Sequence, residues 1–339
     1  MRRTIDWRSG RVVTVDQSLL PDRYRIVRLE TLQQVLGAIG TMKIRGAPLI
    51  GAASAYALAL EAYRTRRIAR DRQLRRLREA GRKIRSCRPT GRDTHRAVQR
   101  VLSRAELAEG EVWREALSEA KAIADEYEEV ERAIVEIGQA LVRDEDTVLT
   151  HCNSGSLATV AWGTALGILI EAWRRGKRIS VVATETRPML QGARLSAWEL
   201  KRAGVPFKLI ADNMVGYVMT RGLVNKVLVG ADRIWRDGSV ANKIGTLTIA
   251  TVAKEHSLPF YVAAPTSTFD PEGTPSYDVI EMRNPEELSE INGRRIAPRG
   301  IECLNPAFDI TPPDRVSAIV TERGIIYPPF ERGVSKILA

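Results

Sequence analysis

Six short apolar runs decide the fold: TVLTHC (147–152), RISVVAT (178–184), PFKLIA (206–211), KVLVGA (226–231), PFYVAA (259–264) and AIVTE (318–322). They are apolar almost throughout and most are rich in β-branched residues, the pattern of strands covered on both faces. Between them, LATVAWGTALGILIEAWRR (157–175), QGARLSAWELKRA (191–203) and IGTLTIATVAKEH (244–256) carry apolar residues at helical spacing. Alternation of strand and helix at these intervals predicts a parallel, doubly wound sheet.

Upstream of residue 146 the texture differs. TIDW (4–7), RVVTVD (11–16) and YRIVRL (24–29) read as short strands around a turn at Ser9-Gly10. From there to about residue 142 the signal is helical: LETLQQVLGAI, the alanine-rich PLIGAASAYALALEAYR with Pro48 in a favoured first-turn position, DRQLRRLREAGRKI, RDTHRAVQRVL and a long helix over 111–142. The chain therefore reads as α/β, with an N-terminal mainly helical domain carrying short strands (1–130) and a C-terminal Rossmann-like domain with a doubly wound parallel sheet (131–339). The stretch 265–311 is proline-rich and reads as loop.

A length of 339 residues, 44% hydrophobic and 27% charged, is ordinary for a soluble globular protein of two domains. No apolar run is long enough to cross a membrane, and the polar start MRRTIDWRSG lacks the apolar segment of a secretory signal, so the expected location is the cytoplasm. Cys87, Cys152 and Cys303 are far apart and fit neither a disulfide framework nor a zinc spacing. The net charge of +11 suits an anionic small substrate or nucleic acid. Many arginines fall at helical spacing in 64–104, where a solvated helix face is the plain explanation, and no nucleic-acid-binding signature accompanies them. Neither a GxGxxG fingerprint nor a P-loop is present, which argues against nicotinamide or ATP chemistry.

In an open parallel sheet, ligands bind beyond the carboxyl ends of the strands. Five such ends here carry polar, glycine-containing segments: HCNSGSLAT, ETRPMLQGARL, DNM, DRI and PTSTFD. Cys152 falls in a strand-to-helix turn, with a helix expected from about Ser156, whose dipole would favour the thiolate; the alternative is a buried packing thiol. His151 beside it is either a participant or a histidine hydrogen-bonded in place. Asp232 follows KVLVG, where covering helices would desolvate the carboxylate and raise its pKa, unless it is a helix cap or a partner for Arg233; Asp212 occupies the same position one strand earlier. SVANKIGTLTIA is expected to put Asn242 and Lys243 at the start of a helix, a ready phosphate site. In MKIRGAPLIG, Arg45 and the backbone of Gly46 and Ala47 offer a second one.

These segments together resemble the methylthioribose-1-phosphate isomerase family, which shares its fold with the regulatory subunits of translation initiation factor 2B. IDWRSGRV, KIRGAPLIG, THCNSGSLAT, ETRPMLQGARLSAWEL, DNM, VGADRIWRDGSVANKIGT, PFYVAAPTSTFD and NPAFDITP occur in order within residues 5–313. The resemblance implies a homodimer that isomerises 5-methylthioribose 1-phosphate to its ribulose form in methionine salvage, without a cofactor, a metal, nucleic acid or a membrane. It implies that Cys152 is the catalytic cysteine and Asp232 the acid/base, and that Arg45, Gly46, Ala47, Arg88, Gln191, Asn242 and Lys243 contact the sugar phosphate. Two segments depart from the family pattern. GRDTHRAV stands where AVNL is usual after RPT, and YDVIEMRNPEEL where IPIEER is usual. Both bear on which sugar is taken. Ribose 1,5-bisphosphate, for which Arg92 offers charge, and 5-deoxyribose 1-phosphate are the alternatives, with a non-catalytic regulatory subunit further off.

Overall fold

The computed structural model describes residues 3–87, 91–291 and 293–338. The chain divides into two compact units. The first comprises Met1–Arg132 with Gly155–Gly163, the second Ala133–Ser154 with Thr164–Ala339.

The N-terminal unit opens with an antiparallel three-stranded sheet, β1 (Ile5–Arg8), β2 (Arg11–Val15) and β3 (Ile26–Leu29), in that order. Helices α1 (Leu32–Gly40), α2 (Ala47–Arg64), α3 (Arg70–Cys87), α4 (Arg92–Glu106) and α5 (Val112–Gly138) follow; the unit boundary lies inside α5. Thr31 starts α1 with a reciprocal cap: its hydroxyl accepts from the Gln34 N–H at 3.2 Å, and the Gln34 side chain accepts from the Thr31 N–H at 3.3 Å. The central element is α2, buried from Leu49 to Ala62, because its alanines let α3 and α4 approach closely around Tyr56, Leu58 and Leu60. The arginine-rich α3 buries one face through Leu77, Ala80, Gly81 and Ile84. Arg76 and Arg78 on its other face pair with Glu61 and Glu106, and Arg100 of α4 pairs with Glu119 and Glu126. Much of the basic charge is thus matched locally.

Residues 155–163 join this unit because their backbone is bound there. The Glu131 carboxylate accepts from Val160 N (2.8 Å), Ala161 N (2.8 Å), Trp162 N (2.8 Å) and the Thr159 hydroxyl (2.9 Å). Thr4 N donates to the Val160 carbonyl at 2.7 Å, and the Gln17 amide to the Leu157 carbonyl at 2.7 Å. Burial pushes the Glu131 pKa up, against four hydrogen bonds that favour the carboxylate. The helix expected from Ser156 therefore does not form. A single 3₁₀ turn, Ser156–Ala158, stands there instead, and the α-helix begins at Ala165.

In the second unit β4 (Thr147–Thr150), α6 (Ala165–Arg174), β5 (Ser180–Thr184), α7 (Ala197–Ala203), β6 (Phe207–Ile210), α8 (Val215–Thr220) and β7 (Lys226–Val229) come first. Then come β8 (Arg233–Trp235), β9 (Val240–Lys243), α9 (Thr246–Glu255), β10 (Phe260–Ala263) and β11 (Phe269–Asp270). The chain closes with α10 (Glu286–Ser289), β12 (Glu290–Ile291), β13 (Arg294–Arg295), β14 (Phe308–Thr311), β15 (Ala318–Thr321), β16 (Gly324–Ile326) and α11 (Phe330–Leu338).

The main sheet has the order β6-β5-β4-β7-β10-β15-β16, parallel except for the last pair. The six runs quoted above are its parallel strands. Their order reverses between β4 and β7, the topological switch point of a Rossmann-type sheet. A second, four-stranded sheet has the order β11-β8-β9-β14. Three of its strands are short inserts between β7 and β10 or after β10, too brief to show a period in the sequence.

Candidate active site

Cys152 follows β4 and Asp232 follows β7, and these strands are neighbours in register, with Leu149 opposite Val227. The Thr150 hydroxyl donates to the Leu228 carbonyl at 2.9 Å. A Cβ placed on Gly230 would come within 3.0 Å of the Ser154 Cβ, so the two strand ends meet beyond the sheet.

Cys152 takes a left-handed backbone, φ 62°. For a residue with a side chain this costs roughly 1–2 kcal/mol, and it persists only where the surroundings impose it. They do so from both sides. The Cys152 N–H donates to Thr186 Oγ1 at 2.9 Å, and the Cys152 carbonyl accepts from the Ser196 hydroxyl at 2.7 Å. The side chain is part-exposed. Because α6 starts only at Ala165, the helix dipole expected beside the thiol is absent from its immediate surroundings. Next along, Asn153 is buried, its amide donating to Glu199 Oε1 at 2.8 Å and Ser196 Oγ at 3.1 Å.

The segment after β5 is bent as sharply. Thr186 (φ 64°) and Leu190 (φ 57°) are also left-handed, and a β-branched residue in that region is a marked outlier. The Asp212 carboxylate accepts from Thr186 N at 2.7 Å and Arg187 N at 2.6 Å. This separates the two aspartates: Asp212 fastens a loop, whereas Asp232 is exposed at its strand end. The expected desolvation of Asp232 is not found. The chain leaves β7 at Val229 and enters β8 at Arg233, with no helix between the two strands. Its neighbour Arg233 lies 3.5 Å from Asp270.

Gln191 is buried, and its Oε1 meets no hydrogen-bond donor among the described residues. It precedes a π-helical turn, Gly192–Ser196, that runs into α7. Such turns recur at functional sites. Gly192 is required by a close approach: a Cβ there would lie 1.8 Å from the Thr184 carbonyl oxygen.

Asn242 and Lys243 end strand β9 rather than starting a helix, paired with Asp309 and Phe308 of β14. The Asn242 amide donates to Thr246 Oγ1 at 3.0 Å, and Lys243 Nζ lies 4.9 Å from the Phe308 ring centre. The amino end of α9 is already engaged. Asp309 accepts from Gly245 N at 2.7 Å and Leu247 N at 3.0 Å, and burial pushes its pKa up to about 6. Lys243 brings a positive side chain to this end of the helix, while two of the amides that the sequence suggested, Gly245 N and Leu247 N, are held by Asp309. The backbone groups of β9 on this side are satisfied by β14, whose paired residues, from Phe308 opposite Lys243 to Thr311 opposite Val240, are far off in sequence and invisible to local pattern.

Arg45, Gly46 and Ala47 belong to the N-terminal unit. Arg45 is buried, Gly46 precedes α2 at φ 94°, and Ala47 opens the helix. A Cβ on Gly46 would stand 2.2 Å from the Ala158 carbonyl oxygen. Arg88 lies outside the described residues. Thr186, Ser196 and Glu199 lie in the quoted motif ETRPMLQGARLSAWEL without being singled out as site residues, and they act here as hydrogen-bonding partners of the Cys152 segment. Among the described residues no cluster of three metal-ligating side chains occurs, and no helix is long and apolar enough to cross a membrane.

The chain belongs to the Initiation factor 2 subunit family, whose model matches residues 43–328. It is 46% identical over 329 residues to a methylthioribose-1-phosphate isomerase of Dehalococcoides mccartyi, covering 96% of this chain and 98% of that protein. It is 47% identical to a 5-deoxyribose 1-phosphate isomerase of Moorella thermoacetica, covering 99% and 97%. The crystal structure of 5-methylthioribose 1-phosphate isomerase from Pyrococcus horikoshii superposes with a TM-score of 0.92 at 39% identity, covering 100% of this chain and 96% of that one.

Proposed function

We propose that this protein is an aldose–ketose isomerase that converts 5-methylthioribose 1-phosphate to 5-methylthioribulose 1-phosphate, the isomerisation step of methionine salvage. The observation that carries the reading is a clamped, left-handed cysteine and an accessible aspartate on adjacent strand ends at the switch point of the sheet. Full-length similarity to named isomerases supports it.

A phosphate on C1 locks the sugar as a ring, so no free aldehyde exists until the ring opens. In this proposal the bound sugar covers Asp232 and shields it from water, which favours its protonated form, and the carboxyl gives that proton to the ring oxygen as its bond to C1 breaks. Hydrogen then moves from C2 to C1 with Cys152 taking part, and the C2 hydroxyl gives its proton to the Asp232 carboxylate as it becomes the ketone, which restores the acid. Each such acid/base group contributes about 10²–10⁴-fold. Lys243 holds the phosphate, and the buried Gln191 Oε1 accepts from a sugar hydroxyl. Arg45, Gly46, Ala47 and Asn242 keep the substrate-binding roles that the resemblance gives them. A homodimer working in the cytoplasm belongs to the same proposal.

The 5-deoxyribose sugar is the second reading, favoured by the name of the Moorella relative. The test is an assay with 5-methylthioribose 1-phosphate, 5-deoxyribose 1-phosphate and ribose 1,5-bisphosphate side by side. Preference for the methylthio sugar, with kcat reduced by about 10²-fold or more in both Cys152→Ser and Asp232→Asn, is the expected result. Turnover undiminished in either variant overturns the assignment of that residue. In deuterated water, uptake of deuterium at C1 marks proton transfer through an enediol, and full retention marks direct hydrogen transfer.

A further inference from the structure

Beneath Cys152 runs a chain of hydrogen bonds whose direction chemistry fixes. His151 is 1% exposed; its Nε2 lies 2.9 Å from the Ile244 carbonyl oxygen and its Nδ1 2.6 Å from Thr184 Oγ1. A carbonyl oxygen only accepts, so Nε2 carries the proton. Burial holds the imidazole below its ordinary pKa; of the charged groups facing it, Asp212 acts against this and Lys243 with it. Nδ1 is then an acceptor, and the Thr184 hydroxyl must donate to it. With its own proton committed, Thr184 Oγ1 can only accept from Thr186 Oγ1, 3.2 Å away, which is nearer than the other acceptor open to the Thr186 hydroxyl, the Thr184 carbonyl oxygen at 3.4 Å. Thr186 Oγ1 in turn accepts the Cys152 N–H at 2.9 Å. The order is Cys152 N–H, Thr186, Thr184, His151 and Ile244 carbonyl, with one proton per link.

The two ends matter. One is the left-handed backbone of Cys152. The other is the residue after Lys243, in a turn gripped on its far side by Asp309 through the Gly245 N–H. We propose that His151 and Thr186 are positioning residues, which through this directed chain hold the Cys152 thiol at a fixed orientation relative to the anion held by Lys243. The proposal deepens the functional reading and rests on it for the roles of Cys152 and Lys243.

The central test is Thr186→Val, which removes the hydroxyl at nearly constant volume and keeps the backbone N–H that Asp212 holds. The expected result is a kcat lower by about 10–100-fold with KM changed by less than about threefold. Thr186→Ser, which keeps the hydroxyl, is expected to restore kcat to within about threefold of the original. The rate at which iodoacetamide modifies Cys152, followed on its own peptide by mass spectrometry, is expected to shift in Thr186→Val and not in Thr186→Ser. A folded Thr186→Val protein with both kcat and Cys152 alkylation unchanged overturns the proposal. Should Thr186→Val not fold, ring-nitrogen NMR of histidine-labelled protein decides: one imidazole, absent from His151→Gln, is expected as the Nε2–H tautomer across about pH 6–8, and an Nδ1–H tautomer overturns the chain. Absence of isomerase activity in the unmodified protein would sink the functional reading instead, and the alkylation and NMR results would still decide the hydrogen-bond chain.

Discussion

Replacing Gly192 by alanine tests how far the site depends on one close approach. The added methyl carbon would stand 1.8 Å from the Thr184 carbonyl oxygen and 2.8 Å from Thr186 Oγ1. Since Cβ contacts below 3.0 Å are essentially never found, the gap to Thr184 must widen by about 1.2 Å. Neither partner yields easily, because Thr184 lies in β5 between two parallel neighbours and its carbonyl is backbone. The turn must move, and three contacts of that turn move with it: Leu190 N to Thr186 O (2.8 Å), Ala193 N to Glu185 O (3.2 Å) and Arg194 N to Leu190 O (2.8 Å). Overpacking of this kind costs about 1–3 kcal/mol. For a unit of this size that lowers the melting temperature by roughly 2–12 °C. Gln191, the preceding residue, shifts by a comparable distance, and a misplacement of about 1 Å in a positioning group costs on the order of 10²-fold in rate. Steady-state kinetics with 5-methylthioribose 1-phosphate and a thermal melt measure both effects. Gly37→Ala is the matched control: it lies inside α1 with nothing within 4 Å, so stability should hold or rise by up to about 1 kcal/mol with kinetics unchanged. A Gly192→Ala protein as active and as stable as the parent would refute the argument.

Two further outcomes follow from buried carboxylates. Glu131→Gln turns an amide nitrogen toward backbone N–H donors and should cost about 1–3 kcal/mol, while Glu131→Ala strands three N–H groups and should cost about 3–5 kcal/mol; equal urea midpoints for the parent and the alanine variant would count against the role assigned to Glu131. Asp309 has its pKa raised from 3.8 to about 6, so the folded chain binds its proton more tightly than the unfolded one. Its stabilising contribution is full below its unfolded pKa and lost as pH rises through about 6, by at most about 3 kcal/mol. Urea unfolding of Asp309→Asn beside the parent should therefore show the variant gaining relative stability between pH 4 and 7, and a pH-independent difference would exclude the assignment.

Much of this protein is legible in its sequence, and the reason is local. The six parallel strands are continuous apolar runs, and α1 to α5 carry their period in their own residues, so each announces itself. The rule that ligands gather at carboxyl strand ends then points to the segments carrying Cys152, Asp212 and Asp232 before any coordinates are drawn. Other features depend on residues far apart in the chain. The segment after Cys152 has an apolar helical pattern, yet Glu131 and Thr4 take its backbone groups and the helix waits until Ala165. Asn242 and Lys243 look like a helix start, yet β14 makes them a strand and Asp309 occupies the helix end. Asp212 and Asp232 are equivalent by position, and only the Thr186 and Arg187 amides distinguish them. Periodicity and composition determined the six parallel strands and the N-terminal helices, and pointed to the sheet edge where chemistry is expected. Tertiary structure decided which backbone groups were already taken, because a buried N–H or carbonyl accepts whichever partner the whole fold brings to it.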